Sequence, residues 1–235
     1  MGRYKSLCIL AAAGLLFGIF GVSTASATLI GTFPTNPGDT VIPLLVLPGS
    51  APGTLLASIS VPFVDTLGTD SGTLVSAVYR ETGGTLDFYY QVSNSLTAPN
   101  CGGAGQPACD PISRMTDTSF TGFATSLGFR TDGGTFGPFV GGTVAPILGD
   151  RSAAGNVVGF DFSPPVAAKI QPGESSDVLV ISTDATNFTT GNASVINGGT
   201  MTVASFEPAA VPEPGSMLLL STGMLGMFGM RRFRR

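Results

Sequence analysis

Residues 85–93 read TLDFYYQVS. In an extended chain Leu86, Phe88, Tyr90 and Val92 fall on one side, and Thr85, Asp87, Tyr89, Gln91 and Ser93 on the other. An apolar side alternating with a polar one at a period of two is the pattern of a strand with one buried face. Just upstream, Thr73–Arg80 (TLVSAVYR) is β-branched and apolar, and Glu81-Thr82-Gly83-Gly84 joins the two stretches. A short connection containing glycine suits a hairpin.

The pattern recurs outward in both directions. Leu55–Val64, Ser119–Phe129, Val157–Phe162, Val178–Thr183 and Met201–Phe206 all read as short strands. Asn-Pro-Gly, Asp-Gly-Gly, Gln-Pro-Gly and Asn-Gly-Gly separate them as turns. No stretch of ten residues here has a helical period. Short strands with frequent turns predict an all-β fold, an antiparallel β-sandwich or jelly-roll-like body. Composition agrees: 33 Gly and 17 Pro with only 11% charged residues disfavour a helical bundle. Lys169–Thr183 (KIQPGESSDVLVIST) also resembles the strand, Pro-Gly turn and strand common in bacterial immunoglobulin-like modules.

The front of the chain is of a different kind. Residues 1–27 read MGRYKSLCILAAAGLLFGIFGVSTASA. Arg3 and Lys5 precede an apolar stretch from Leu7 to Val22, and Ala25-Ser26-Ala27 supplies small residues at its exit. That order predicts a signal peptide helix cleaved after Ala27, so that the mature chain starts at Thr28. Cys8 leaves with it, and Cys101 and Cys109 remain. A close pair of cysteines in an exported Gly/Pro loop predicts a local disulfide, contributing roughly 2–3 kcal/mol on the chain-entropy model.

The predicted body, residues 28–210, carries five basic residues (Arg80, Arg114, Arg130, Arg151, Lys169) against fourteen acidic ones, a formal net charge of −9. So acidic a surface repels phosphate backbones, which argues against a nucleic-acid partner.

Residues 211–235 form the third segment. Val211-Pro212-Glu213-Pro214 ends the fold, because two prolines around one residue resist both helix and central strand. From Met217 through Leu218, Leu219, Leu220, Leu225 and Phe228 to Met230 there is no charge. As a helix this run would be about 21 Å long, against a hydrocarbon core of about 30 Å, a short transmembrane span. Arg231, Arg232, Arg234 and Arg235 then hold the C-terminus on the cytoplasmic side.

These three parts in order closely resemble the PEP-CTERM sorting signal of Gram-negative bacteria. The same tail also closes some proteins described as ice-binding, but a sorting tail carries no information about ice. The resemblance implies recognition by an exosortase, a membrane-embedded cysteine transpeptidase. It implies a transient hold in the membrane, cleavage near the motif, and passage to the cell surface or an exopolysaccharide matrix.

Chemistry is sparse by comparison. The chain has no His and no Trp. That removes His-based triads and His metal clusters. No phosphate-binding loop, nucleophile elbow or EF-hand spacing occurs, and no cofactor is implied. Asp65, Asp70, Asp87, Asp110, Asp117, Asp132, Asp150 and Asp161 offer carboxylate pairs, but no spacing singles one out. Tyr89 is expected to project from the polar side of its strand, where a ring stacks on sugars. The sequence therefore predicts a non-enzymatic structural or adhesive protein. An exopolysaccharide-binding module contacting glycan through Tyr89 is the first alternative, and a carboxylate-dependent glycan hydrolase the second.

Overall fold

In a computed structural model of the chain, residues 33–40, 42, 44–47 and 52–210 are described. Their strands are β1 (Phe33–Thr35), β2 (Leu45–Val46), β3 (Thr54–Val64), β4 (Ser71–Arg80), β5 (Leu86–Asn94), β6 (Arg114–Asp117), β7 (Thr125–Arg130), β8 (Leu148–Arg151), β9 (Val158–Asp161), β10 (Val178–Thr183), β11 (Asn187–Ile196) and β12 (Thr200–Ala209). One sheet has the order β1-β7-β10-β5-β4-β3, with β2 also on β7, and the other β12-β11-β6-β9-β8. All neighbours are antiparallel except β2 and β7. The expected all-β, two-sheet architecture is present. The segments read as a signal helix and a membrane helix lie outside the described residues. Among the described residues no helix is long and apolar enough to cross a membrane.

The TLDFYYQVS stretch is β5, in the middle of the larger sheet between β4 and β10. The expected β4–β5 hairpin closes through Glu81–Gly84: the Glu81 N–H donates to Thr85 O (2.9 Å) and the Gly84 N–H to Glu81 O (2.8 Å). Leu86, Phe88, Tyr90 and Val92 all turn inward and are fully buried. They meet Met115, Val158, Phe160, Ala193, Val195 and Val203 from the opposing sheet in one continuous core. Burial of each large apolar side chain stabilises the sandwich by roughly 1.5–3 kcal/mol.

The other side of β5 departs from expectation. Asp87, Tyr89 and Gln91 are buried as well. The segment after β7, residues 131–144, folds back across the outer face of the larger sheet. It brings Phe136 and Phe139 onto Tyr79 and Tyr89, with ring centroids 6.0 Å (Tyr89–Phe136) and 6.2 Å (Tyr89–Phe139) apart. Ala77, Val178 and Val180 complete this second apolar cluster. The Arg130 guanidinium lies 4.5 Å from the Phe136 ring centre and pairs with Asp132. Within this strap Gly137 has φ +54°, and a Cβ there would collide with the Tyr79 hydroxyl. The middle of the larger sheet is thus covered on both faces, and every residue of β5 except the half-buried Ser93 is buried, whereas β3 at the edge stays largely exposed.

Other boundaries move too. The run 119–129 is not one strand, because Ser119 (φ 72°) and Gly122 (φ 86°) turn the chain before β7 begins at Thr125. The Gln171–Glu174 turn forms, with Gly173 at φ 89°. It does not join a hairpin, however. Ile170 bridges to Ile112, whereas β10 pairs with β5 and β7.

Candidate functional site

At one end of the sandwich the β3–β4 turn approaches the β11–β12 turn. The first turn, residues 65–70, is built by its own carboxylate. Asp65 accepts hydrogen bonds from the Thr69 N–H (2.7 Å), the Asp70 N–H (3.1 Å) and the Thr69 hydroxyl (3.1 Å). Burial opposes ionisation there, but these donors together hold Asp65 below the usual carboxylate range. Gly68 adopts φ 69° to close the turn. The second turn is the predicted Asn-Gly-Gly: the Gly199 N–H donates to Asn197 Oδ1 (3.2 Å).

A third element reaches this end. Cys101 and Cys109 are joined in the expected disulfide, with Cα atoms 4.9 Å apart. Immediately after it, the Asp110 N–H donates to Thr69 O (3.0 Å), and Asp110 O accepts from Asn94 Nδ2 (3.0 Å). The disulfide loop thereby fixes Asp110 beside the β3–β4 turn. Between the three elements lies a cleft of about 140 Å³, lined among others by Asp65, Leu67, Thr69, Asp110, Asn197 and Thr200.

Asp70 lies at this end and is fully buried. Neither of its carboxylate oxygens has a hydrogen-bond partner. Burial first, and then the charges of Asp65 and Asp110, push its pKa up to about 7. Asp65 and Asp110 line the cleft, and Asp70 does not. Among the described residues, no three His, Cys, Asp or Glu side chains already converge as a metal site.

The other aspartates have different employment. Asp150 and Asp161 both bind Arg114 across β8, β9 and β6, at 2.8 Å (Arg114 Nη2 to Asp150 Oδ1) and 2.6 Å (Arg114 Nη1 to Asp161 Oδ2). Gly159 leaves room for that guanidinium, since a Cβ there would strike Arg114. Asp117 is buried in the core, where it accepts from the Ser205 hydroxyl (3.0 Å) and the Thr118 N–H. Burial outweighs those donors and raises its pKa to about 8. Asp87 is pushed up to about 7 by burial and by Glu81. Arg151, also buried, donates to the carbonyls of Gly155, Thr35, Phe120 and Phe123, gathering β1 and two loops.

Tyr89 does face the side opposite Leu86, Phe88 and Tyr90. It is only 3% exposed, because Phe136 and Phe139 lie over it. The expected sugar-stacking platform is therefore a core residue, and Tyr89 is withdrawn as a glycan contact. The sequence signal for its cover was present: two phenylalanines three residues apart in a glycine-rich run.

The last strand among the described residues, β12, ends at Ala209. Val211-Pro212-Glu213-Pro214, the apolar run and the four arginines follow. Over residues 210–235 the chain matches the family model of the PEP-CTERM protein-sorting motif. The chain carries a PEP-CTERM sorting motif. The PEP-CTERM match begins one residue after the last strand, so the motif is appended to the sandwich rather than woven into it. It implies exosortase processing and export to the cell envelope or surface. The PEP-CTERM residues Val211–Arg235, like the expected cleavage residues Ala25, Ala27 and Thr28, lie outside the described residues. No curated protein and no solved structure matches the chain.

Proposed function

We propose that this chain is a non-enzymatic structural or adhesive protein, exported, held briefly in the membrane by its tail, and passed to the outer surface or extracellular matrix after exosortase cleavage. The observation that carries the reading is the position of the PEP-CTERM motif. It follows directly on a β-sandwich whose last strand has already closed, so cleavage there would release a complete body. The carboxylates support the non-enzymatic part: Asp150 and Asp161 are both committed to Arg114, and Asp132 to Arg130.

Intact mass of the protein from native cells, taken fraction by fraction, tests this. The expected species starts at Thr28, ends near Pro214, and lies outside the membrane. A species that retains Arg235 and stays with membranes would overturn the processing and leave an anchored envelope protein.

Exopolysaccharide is the matrix partner the reading favours, and one observation gives it a surface other than Tyr89. The outer face of the smaller sheet presents exposed Asn192, Thr200 and Thr202 with half-buried Ser194, a row of short polar groups across β11 and β12. Retention of the released protein on purified native polysaccharide, compared with the T202A/N192A variant, tests it. Equal retention of both would remove this surface.

A further inference from the structure

One edge of the larger sheet is open. β3 pairs with β4 and, among the described residues, with no other strand. The ladder shows which of its backbone groups are free. Opposed residues in an antiparallel pair alternate between exchanging two hydrogen bonds and exchanging none. Pro62 stands opposite Thr73 and has no N–H, which places it in a pair that exchanges none. The Asp65 N–H donates to Asp70 O (3.0 Å), continuing the bonded series of odd-numbered residues. Counting in twos, Ser58 and Ser60 are of the same kind as Pro62. Their N–H and C=O groups point away from β4, out of the sheet edge. Between them Ala57, Ile59 and Val61 pack on the central core but are only partly buried.

Proteins guard an edge of this length with charges, prolines or bulges. Thr54–Val64 carries no charge. Its interruptions are Pro62, which cannot donate, and the irregularity between Leu55 and Ala57, where Leu56 is the extra residue. Leu56 and Pro62 lie equally far from Ile59, so the uninterrupted stretch Ala57–Val61 is centred on that residue. The stretch is self-complementary. Turned about an axis through Ile59 and perpendicular to the sheets, a second β3 brings Ser60 opposite Ser58, Val61 opposite Ala57, and Ile59 opposite itself. Each Ser58–Ser60 pair then exchanges two hydrogen bonds, and apolar side meets apolar side. Each Pro62 falls opposite the bulged Leu56 of the other copy, where a missing donor matters least. The flanking charges agree with this direction. Exposed Arg80 stands opposite Thr54 at one end of β3, with Glu81 beside it turned onto the Gly53 N–H (3.3 Å), and Asp65 follows Val64 at the other. Antiparallel pairing sets Arg80 of each copy toward Asp65 of the other. Parallel pairing would set Asp65 against Asp65, between bodies each at a formal net charge of −9.

We propose that the partner of this edge is a second copy of the chain, joined β3 to β3 in antiparallel register about Ile59 into one continuous sheet. The direction of the strands then ties assembly to release, a consequence that rests on the proposed function. β3 ends and β12 begins at the end of the sandwich where their turns form the cleft. β12 therefore finishes, at Ala209, near the end where β3 starts. The two-fold axis reverses one copy relative to the other, so their tails leave from opposite ends, about 30 Å apart along the strands. Both tails cannot enter one bilayer from the same side. Copies held in a membrane are kept single, and copies released by cleavage are able to pair.

The experiment uses the full chain in detergent, where each tail has its own micelle and neither orientation is barred. Sedimentation equilibrium in density-matched detergent should show a protein mass that doubles as concentration rises toward about 0.5 mM, the weak range expected of so short a join. Ser60→Pro removes an outward N–H and no bond to β4, so it should melt as the unaltered chain does and stay single. Ile59→Cys puts its thiol on the axis, and mild oxidation should link two chains through it. In Val61→Cys the two Cα atoms stand about 13 Å apart and should not link. A single-chain mass at about 0.5 mM would overturn the proposal. A dimer that Ser60→Pro leaves intact, or that Ile59→Cys fails to link, would overturn it too, because the contact would then use another surface. The tie to release has its own readout. Ile59→Cys protein from native cells should be linked in the released fraction and unlinked in membranes. Linked chains in the membrane fraction would remove the tie and leave the join. Absence of any released protein would remove the tie together with the processing, and the detergent result would stand.

Discussion

Gln91 and Val140 hydrogen-bond to each other twice. Gln91 Nε2 donates to Val140 O at 2.9 Å, and Gln91 Oε1 accepts from the Val140 N–H at 2.9 Å. The same amide nitrogen also donates to Ser176 O at 2.9 Å. One buried side chain on the central strand thus completes the backbone bonding of a strap that has no strand of its own. These bonds satisfy the Val140 backbone where the glycine-rich segment crosses the sheet, while the buried Tyr79 hydroxyl beneath the segment stays unpaired.

Gln91→Ala should therefore release the strap. Three backbone groups lose a partner, and a cavity opens beside Tyr89, for a combined loss of roughly 2–4 kcal/mol. Urea unfolding should show the lower stability. Limited proteolysis should cut first within residues 131–144, before any cut in the sheets. A variant as stable and as resistant as the parent would show that the aromatic contacts alone hold the strap.

Gly137→Ala probes the strap from within. The residue sits at φ +54° with no room for a Cβ against the Tyr79 hydroxyl. Positive φ in a non-glycine residue and the steric clash together should cost roughly 1–3 kcal/mol. The chain has four Tyr and no Trp, and Tyr79, Tyr89 and Tyr90 are all buried. Near-ultraviolet circular dichroism consequently reports on this cluster, and its tyrosine band should weaken. An unchanged band with unchanged stability would mean that the strap shifts freely.

Asp117 should make the fold less stable in alkali. Its carboxyl is buried between the sheets, and its pKa is raised to about 8, above the ordinary carboxylate value. A raised acid pKa means that the folded state favours the neutral form. That stability is fully present below about pH 4 and is lost as pH rises through about 8. Asp87, raised to about 7, acts in the same direction. The melting temperature should fall between about pH 4 and pH 8 and level off above that. Asp117→Asn, which keeps the shape and cannot ionise, should flatten that decline. A decline as steep in the variant would assign it to the other buried acids.

Much of this was legible in the sequence, and the omissions have physical reasons. Alternation placed Leu86, Phe88, Tyr90 and Val92 in the core because a strand's two faces are set by covalent geometry alone. It was silent on what covers the outer face, since that depends on a strap more than 40 residues downstream in the chain. β11 is not among the predicted strands: Thr189 and Thr190 suit a strand, but Gly191 and Asn192 break the pattern. Its pairing with β12 and β6, not its propensity, makes it a strand. The approach of Asp110 to the β3–β4 turn was invisible for the same reason: it depends on the disulfide loop and on the Asp110 N–H bonded to Thr69 O. The sorting motif is linear, and it needs no tertiary context to be recognised.

That linearity makes the tail the cleanest target. Replacing Pro212, Glu213 and Pro214 by Ala alters residues that follow β12, which ends at Ala209, so the sandwich should fold as before. The predicted export signal at residues 1–27 is also untouched. The expected phenotype is therefore specific: the protein is still exported, but it accumulates in the membrane fraction with its C-terminal arginines intact. The apolar run is about 21 Å as a helix, short for the bilayer, so retention should be strong but incomplete, with some chain extracted by mild detergent. Replacing Arg231, Arg232, Arg234 and Arg235 instead should weaken the hold itself and disturb orientation, because these charges keep the C-terminus on the cytoplasmic side. The two variants separate recognition from anchoring. Unchanged release of the Pro-Glu-Pro variant would show that the motif does not direct processing in this chain and that the tail is a simple anchor.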